Sequence, residues 1–268
     1  MGLGTVKLGN LEISKIILGG NPFSGFSHIS AEKDIEMKKY YKVAKIKEEL
    51  AKAEALKVNT YLARADHHVI RTLGEYWDEG GKIQWIAQTC PGVGQVDLGV
   101  YNAINGGAKA CYIHVGQMEY FLANNKLDKV PKYIEMIRKM GMVAGVAGHD
   151  PKVIEWAEEN LDVDFYMCSY YHPSNRGNNP KHDAGIQEYY NKEDREYMVN
   201  LIQKLSKPAI HYKVLAAGRN EPKEAFKYVA RYLRPQDAVC IGIYSKINPN
   251  MLEEDIKFLE SALLTNLQ

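Results

Sequence analysis

Gly141-Met142-Val143-Ala144-Gly145-Val146-Ala147-Gly148-His149-Asp150-Pro151 is the stretch that decides the fold. Before it, residues 133–140 repeat apolar side chains every three or four positions, the spacing of one helix face. Gly141 stands where a helix commonly ends in a left-handed residue. Residues 143–147 are an unbroken run of small and apolar side chains, as expected of a strand buried on both faces. Asp150 before Pro151 reads as a helix start, because the carboxylate caps orphan N–H groups and proline fits the first turn. Helical spacing then resumes over residues 152–160.

Outward from this unit the same alternation repeats. Apolar runs fit to be buried parallel strands occupy residues 15–18, 58–62, 83–87, 110–114, 143–147, 165–169, 209–212 and 238–243. Helical periodicity covers residues 31–56, 133–140, 152–160, 197–205, 222–233 and 249–264, the last opening on Asn248-Pro249 in the same cap-then-proline manner. Ahead of them Thr5-Val6-Lys7-Leu8 and Leu11-Glu12-Ile13 flank Gly9-Asn10, the pattern of a small β-hairpin. Strict alternation demands a parallel sheet, and this many units favour closure into a barrel. The chain of 268 residues matches the ~250 typical of a single (β/α)8 domain. An open doubly wound sheet would carry a glycine fingerprint after its first strand; Gly19-Gly20-Asn21-Pro22 lacks that spacing. Residues 1–268 therefore read as one α/β domain, a (β/α)8 TIM barrel.

With 34 basic against 33 acidic side chains, nothing electrostatic points to nucleic acid or a membrane surface. The partner expected is a small molecule. Cys90, Cys111, Cys168 and Cys240 are far apart and sit in or beside apolar runs, as buried thiols do. The first ten residues have no apolar core of signal-peptide length and no run of ~20 apolar residues occurs, so a cytoplasmic protein is expected.

Ile13-Ser14-Lys15-Ile16-Ile17-Leu18-Gly19-Gly20 after the hairpin resembles the opening of the aldo-keto reductases. The likeness continues, in order, through Val58-Asn59-Thr60-Tyr61, Leu73-Gly74-Glu75 and Tyr112-Ile113-His114. Gly145-Val146-Ala147, Tyr170-Tyr171-His172-Pro173, Ile210-His211-Tyr212 and the C-terminal Asn248-Pro249 follow. The resemblance implies a hairpin closing the barrel floor and a reaction in which hydride moves between NADP or NAD and a carbonyl. It implies an Asp, Tyr, Lys and His at the site. Here the aspartate position falls on Leu62, the tyrosine position on His67, and the lysine position on Thr89 or Gln88. Only His114 matches.

Hydride transfer still needs a proton donor near the developing alkoxide. His114 and His67 are the candidate acids, and Arg64 the candidate electrostatic stabiliser. Asn21, Gln117, His172 and Arg176 are candidate substrate contacts, Arg176 lying in the long irregular stretch 171–194 after the sixth strand. The resemblance assigns Tyr212 to stacking on the nicotinamide, Gly218 and Arg219 to the pyrophosphate loop, and Lys246 to the adenosine phosphate. The substrate expected is a small polar carbonyl or a sugar-like molecule.

An alternative rests on the histidines alone. Strand ends of such barrels form the active face, and His67, His114, His149, His172 and His211 all lie at or near them. His149, His172 and His211 are the ligands a divalent metal would take, serving a non-redox lyase, isomerase or hydrolase. A protein that has lost catalysis and only binds is the third possibility.

Overall fold

A computed structural model describes residues 3–89, 94–172 and 189–266. Strands β1 (Thr5–Leu8) and β2 (Leu11–Ser14) form the expected hairpin, with Gly9 at φ +56 in its turn. Eight parallel strands follow and close: β3 (Ile16–Gly19), β4 (Thr60–Arg64), β5 (Gln84–Thr89), β6 (Ala110–Ile113), β7 (Val143–Gly148), β8 (Phe165–Ser169), β9 (Ala209–Tyr212) and β10 (Ala238–Gly242). Each pairs with the next in sequence and β10 returns to β3, so the barrel has no free edge.

Strand residues alternate between two cores, because successive side chains point to opposite faces. Ile17, Leu62, Ile86, Tyr112, Val143, Ala147, Phe165, Met167 and Ile210 fill the interior. Val6, Leu8 and Ile13 of the hairpin belong to that same cluster. They pack with Ala110, Val143, Phe165 and Ala238, each the first residue of its strand, so the hairpin plugs the floor. The open end is therefore the C-terminal one. Tyr61, Trp85, Cys111, Ala144, Tyr166 and Ile241 face outward against the helices. Gly145 gives the Phe165 ring its place: a Cβ there would sit 2.5 Å from Cζ.

Helices lie outside: α1 (Ala31–Tyr40), α2 (Val43–Ala55), α3 (His67–Asp78), α4 (Val96–Asn105), α5 (Val115–Ala123), α6 (Val130–Lys139), α7 (Pro151–Asn160), α8 (Lys192–Ile202), α9 (Pro222–Tyr232) and α10 (Met251–Asn266). Asp150 caps α7 by accepting from the Lys152 N–H, and Gly141 after α6 has φ +78, as read from sequence. The helix expected over 31–56 is instead two. Tyr41 breaks it by turning its ring inward and donating to the Ile243 carbonyl at 3.0 Å. Helices α4 and α5 lack a clear polar face and contain Gly99 and Gly116, which hid their period. The last helix begins at Met251 because the Asn248 side chain first accepts from Asn250 N–H in a turn. Helix α8 starts earlier than expected, on an exposed charged turn holding Glu193 and Asp194. Cys111, Cys168 and Cys240 are buried free thiols, that of Cys240 pushed up to about 12 by burial; Cys90 lies outside the described residues. Among the described residues no helix is long and apolar enough to cross a membrane.

Two buried carboxylates make opposite pH predictions. Burial of Asp237 works against its charge, yet hydrogen bonds from His211 and Arg234 outweigh it and hold the carboxyl below its ordinary value. Its contribution is thus present at neutral pH and lost as pH falls through that lowered value. Asp237→Ala strands Arg234 and His211 and should cost about 3–5 kcal/mol, a fall in Tm of on the order of 10 °C for a chain of this size. Asp255 on α10 is buried, with no hydrogen bond to Oδ2 among the described residues, and burial followed by Glu254 pushes it up to about 7. Stability should therefore decline from its ordinary value of 3.8 toward pH 7 as the unfolded chain ionises first. Asp255→Asn removes that decline and should be more stable than wild type at pH 8, measured by urea unfolding at both pH extremes.

Candidate active site at the barrel mouth

Arg64, Gln88, His114, His149 and Tyr212 share the inward face of their strands and stand at or just beyond the C-terminal ends. Arg64 is half-buried and held from two sides. Its Nε donates to Asp66 Oδ2 at 3.2 Å, and its guanidinium lies 4.9 Å from the Phe26 ring centre. Asp66 in turn caps α3 by accepting from Val69 N–H at 3.0 Å. His67, the first residue of that helix, is exposed and makes no side-chain hydrogen bond or ion pair among the described residues.

His114 joins β6 to α5. Its N–H donates to Thr89 Oγ1 at 2.9 Å, and its Nδ1 accepts from Gly116 N–H at 3.3 Å, so the imidazole is the helix cap. An Nδ1 that accepts leaves Nε2 as the protonated nitrogen of the neutral ring. Thr89 faces the helix layer, where a Cβ on Gly99 would meet it, while Gln88 is buried on the inward face. Neither reproduces a lysine. Gln117 is buried in the first turn of α5; its Oε1 accepts from Gly94 N–H at 2.8 Å, and its Nε2 has no hydrogen-bond partner among the described residues.

Sequence reasoning missed Glu119. Its signal was a lone carboxylate in the apolar run Val115–Ala123. The side chain is buried, and Oε1 accepts from His149 N–H at 3.1 Å and Asp150 N–H at 3.3 Å. The same oxygen lies 3.3 Å from His149 Nδ1. The His149 ring is 5.9 Å from that of Tyr212, which is half-buried. Lys213, also missed, has left-handed φ +57 and its Nζ lies 5.7 Å from the Tyr190 ring centre.

The loop after β9 is strained, Ala216 and Ala217 having φ +50 and +54 before Gly218 at +83. Arg219 pins it by donating to the carbonyls of Ala216 and His28, and its guanidinium covers Tyr190 at 4.4 Å. Asn21 is exposed, its amide 3.1 Å from His28 Nε2. Lys246 is exposed and paired with Glu36 at 2.6 Å; Lys246, Lys33 and Tyr244 bring that carboxyl down to about 2. Arg176 lies outside the described residues.

Of the alternative metal set, His211 stands apart from the mouth. His211 is completely buried on the outward face of β9, away from Tyr212. Its Nε2 lies 3.2 Å from Asp237 Oδ2 and its Nδ1 2.9 Å from Tyr170 Oη, so a neutral ring donates to one and accepts from the other. His172 donates its backbone N–H to Asp194 at 3.0 Å, and its Nε2 is buried without a hydrogen-bond partner among the described residues. Among those residues no three His, Cys, Asp or Glu side chains converge as metal ligands. The strand-end histidines share sequence positions but not a face.

No protein-family model matches the chain, and no curated protein does. Solved structures do. A protein from Pseudomonas aeruginosa described as a putative aldo-keto reductase matches with TM-score 0.65 at 15% identity, over 98% of this chain and 95% of its own. A glycerol dehydrogenase from Gluconobacter oxydans matches with TM-score 0.50 at 12% identity, over 97% of this chain and 76% of its own. A protein described as an aldolase matches with TM-score 0.51 at 16% identity, over 81% of this chain and 93% of its own. At such identities the likeness is one of architecture: the chain has the hairpin-floored (β/α)8 barrel found in aldo-keto reductases.

Proposed function

We propose that the chain is an oxidoreductase of the aldo-keto reductase type, moving hydride between a nicotinamide dinucleotide and a small polar carbonyl or sugar-like substrate in the cytoplasm. One observation carries the reading: His114 at the end of the fourth barrel strand is fixed by Gly116 N–H at Nδ1, so its neutral ring carries the proton on Nε2, on the inward side of the strand end. Such a donor orients a carbonyl and stabilises the oxyanion as charge develops. Arg64 adds fixed positive charge.

The residues fit a nicotinamide dinucleotide at one end better than the other. Tyr212 offers a half-exposed aromatic face beside His149, and Gly218 with Arg219 offers backbone and cation to a pyrophosphate. Lys246 would meet the adenosine phosphate only by leaving Glu36, a surface ion pair of small worth. When bound, the cofactor supplies the hydride. The protein's own part is to hold the carbonyl oxygen against His114, keep Arg64 near it, and supply a proton. A non-redox reaction on the same barrel is the second reading, favoured by Leu62, His67 and Thr89 or Gln88 standing where the family's Asp, Tyr and Lys would be.

Titration with NADPH and NADH, read by nucleotide fluorescence, should saturate at micromolar concentration; absence of binding to either discards the redox reading. Among carbonyl substrates then identified, His114→Ala should lower turnover by about 10²–10⁴-fold. It also removes a cap worth about 1 kcal/mol. His114→Asn should restore the cap and the Tm but not the turnover. Wild-type turnover in either variant removes His114 from the site.

A further inference from the structure

We propose that the substrate carries a carboxylate and that Arg64 receives it, which makes the substrate class short oxo acids. This assignment rests on the carbonyl-reducing reading above. Along β4, Leu62 belongs to the interior cluster, and Arg64 stands two residues beyond it on the same inward face, at the mouth.

The Arg64 guanidinium is held without being used up. Its Nε donates to Asp66 Oδ2 at 3.2 Å, while Asp66 Oδ1 accepts from the Val69 N–H, so the carboxylate grips one N–H of the arginine. The Phe26 ring lies 4.9 Å from the guanidinium carbon. Phe26 is itself fixed in the loop after β3, its N–H donating to the Asn21 carbonyl at 2.9 Å. The two Nη groups of Arg64 have no hydrogen-bond partner among the described residues. Arginines that secure this fold spend those groups on protein oxygens. Arg234 gives them to the Leu205 and Lys207 carbonyls and to Asp237. Arg219 gives them to two carbonyls, and Arg138 to Asp162 and Asp164. Arg64 instead presents an oriented edge of paired donors, the form that takes a carboxylate through two hydrogen bonds.

A second group points to the same ligand. Gln88 is the register partner of Arg64 on β5 and is only 8% exposed, yet its carboxamide has no hydrogen-bond partner among the described residues. A buried amide left unpaired is costly, and an oxygen of the ligand held by Arg64 would accept from it. Asp66 offsets part of the guanidinium charge, so the edge suits a planar monoanion better than a phosphate dianion. Arg64 lies two strands from His114, with Gln88 between. Neighbouring strands are ~4.8 Å apart, so the two backbones are separated by on the order of 10 Å, a span that two side chains and a few substrate atoms fill. The carboxylate then sits a bond or two from the carbonyl that His114 orients. Reduction puts hydride on the carbonyl carbon and a proton on its oxygen, giving a hydroxy acid with the carboxylate unchanged; the electron pair comes from the reduced nicotinamide.

Oxamate, a non-reducible isostere of a 2-oxo acid, and its uncharged counterpart oxamide test this without turnover, by calorimetry with and without NADP. Oxamate should bind saturably and at least about tenfold more tightly than oxamide. Arg64→Gln should weaken oxamate at least about tenfold, and Arg64→Lys, which keeps the charge but not the fork, at least about threefold. The lysine variant decides if the glutamine variant does not fold. Equal affinity for oxamate and oxamide, or oxamate affinity unchanged by substitution at Arg64, overturns the proposal. Inorganic phosphate bound through Arg64 more tightly than oxamate assigns the edge to a phosphate and overturns the carboxylate. With NADPH, Arg64→Gln should lower kcat/KM for pyruvate at least about tenfold more than for hydroxyacetone, which carries a hydroxymethyl group in place of the carboxylate. An equal loss on both marks Arg64 as structural or as a stabiliser of the oxyanion alone, and overturns the assignment; the oxamate titration decides if neither is reduced. Should oxamate bind through Arg64 while neither NADPH nor NADH binds, the anion site stands and the reductase reading fails. Should NADPH bind and oxamate not, the reductase reading stands and this proposal falls.

Discussion

Closure of the barrel with its floor plugged governs everything else in this molecule. Eight strands paired in a ring leave no free edge, so every strand has a hydrogen-bonded neighbour on both sides. Val6, Leu8 and Ile13 fill the N-terminal end with apolar volume continuous with Ile17, Phe165 and Ile210. Polar side chains on the inward face can then escape burial only at the opposite end. The position of the candidate site follows from where apolar packing stops.

At that end, individual groups are aimed by backbone donors more than by each other. The Gly116 N–H sets the tautomer of His114, the Gly94 N–H holds the Gln117 oxygen, and the N–H groups of His149 and Asp150 grip Glu119. Helix α5 supplies His114, Gln117 and Glu119 within its cap and first turns, bringing an imidazole, an amide and a carboxylate to one side of the barrel. The opposite side is organised by Arg219, which binds the loop after β9 to the loop after β3 through the His28 carbonyl.

His149 and His211 show how far environment outweighs residue type. Both are buried and both lie near a carboxylate. His211 points into the helix layer, where Tyr170 and Asp237 engage its two nitrogens in a static network. His149 lies on the inward side beside Tyr212, with Glu119 Oε1 3.3 Å from its Nδ1. One secures the wall and the other faces the chamber, although the sequence presents each as a histidine near the end of an apolar run.

The sequence by itself determined the barrel. Its alternation of apolar runs with helical periods, the cap at Asp150-Pro151, the Gly9-Asn10 turn and the eight strand positions all depend on local pattern, which physics reads within ten or so residues. It also placed His114 at a strand end, since strand order alone fixes that. Tertiary structure decided the rest. The break at Tyr41 depends on a carbonyl about two hundred residues away, at Ile243. Whether a strand-end side chain enters the mouth or the helix layer turns on a register of one residue, which separates Tyr212 from His211 and Gln88 from Thr89. Glu119 became legible only when α5 carried it against the β7–α7 turn, because a carboxylate's meaning lies in which donors surround it.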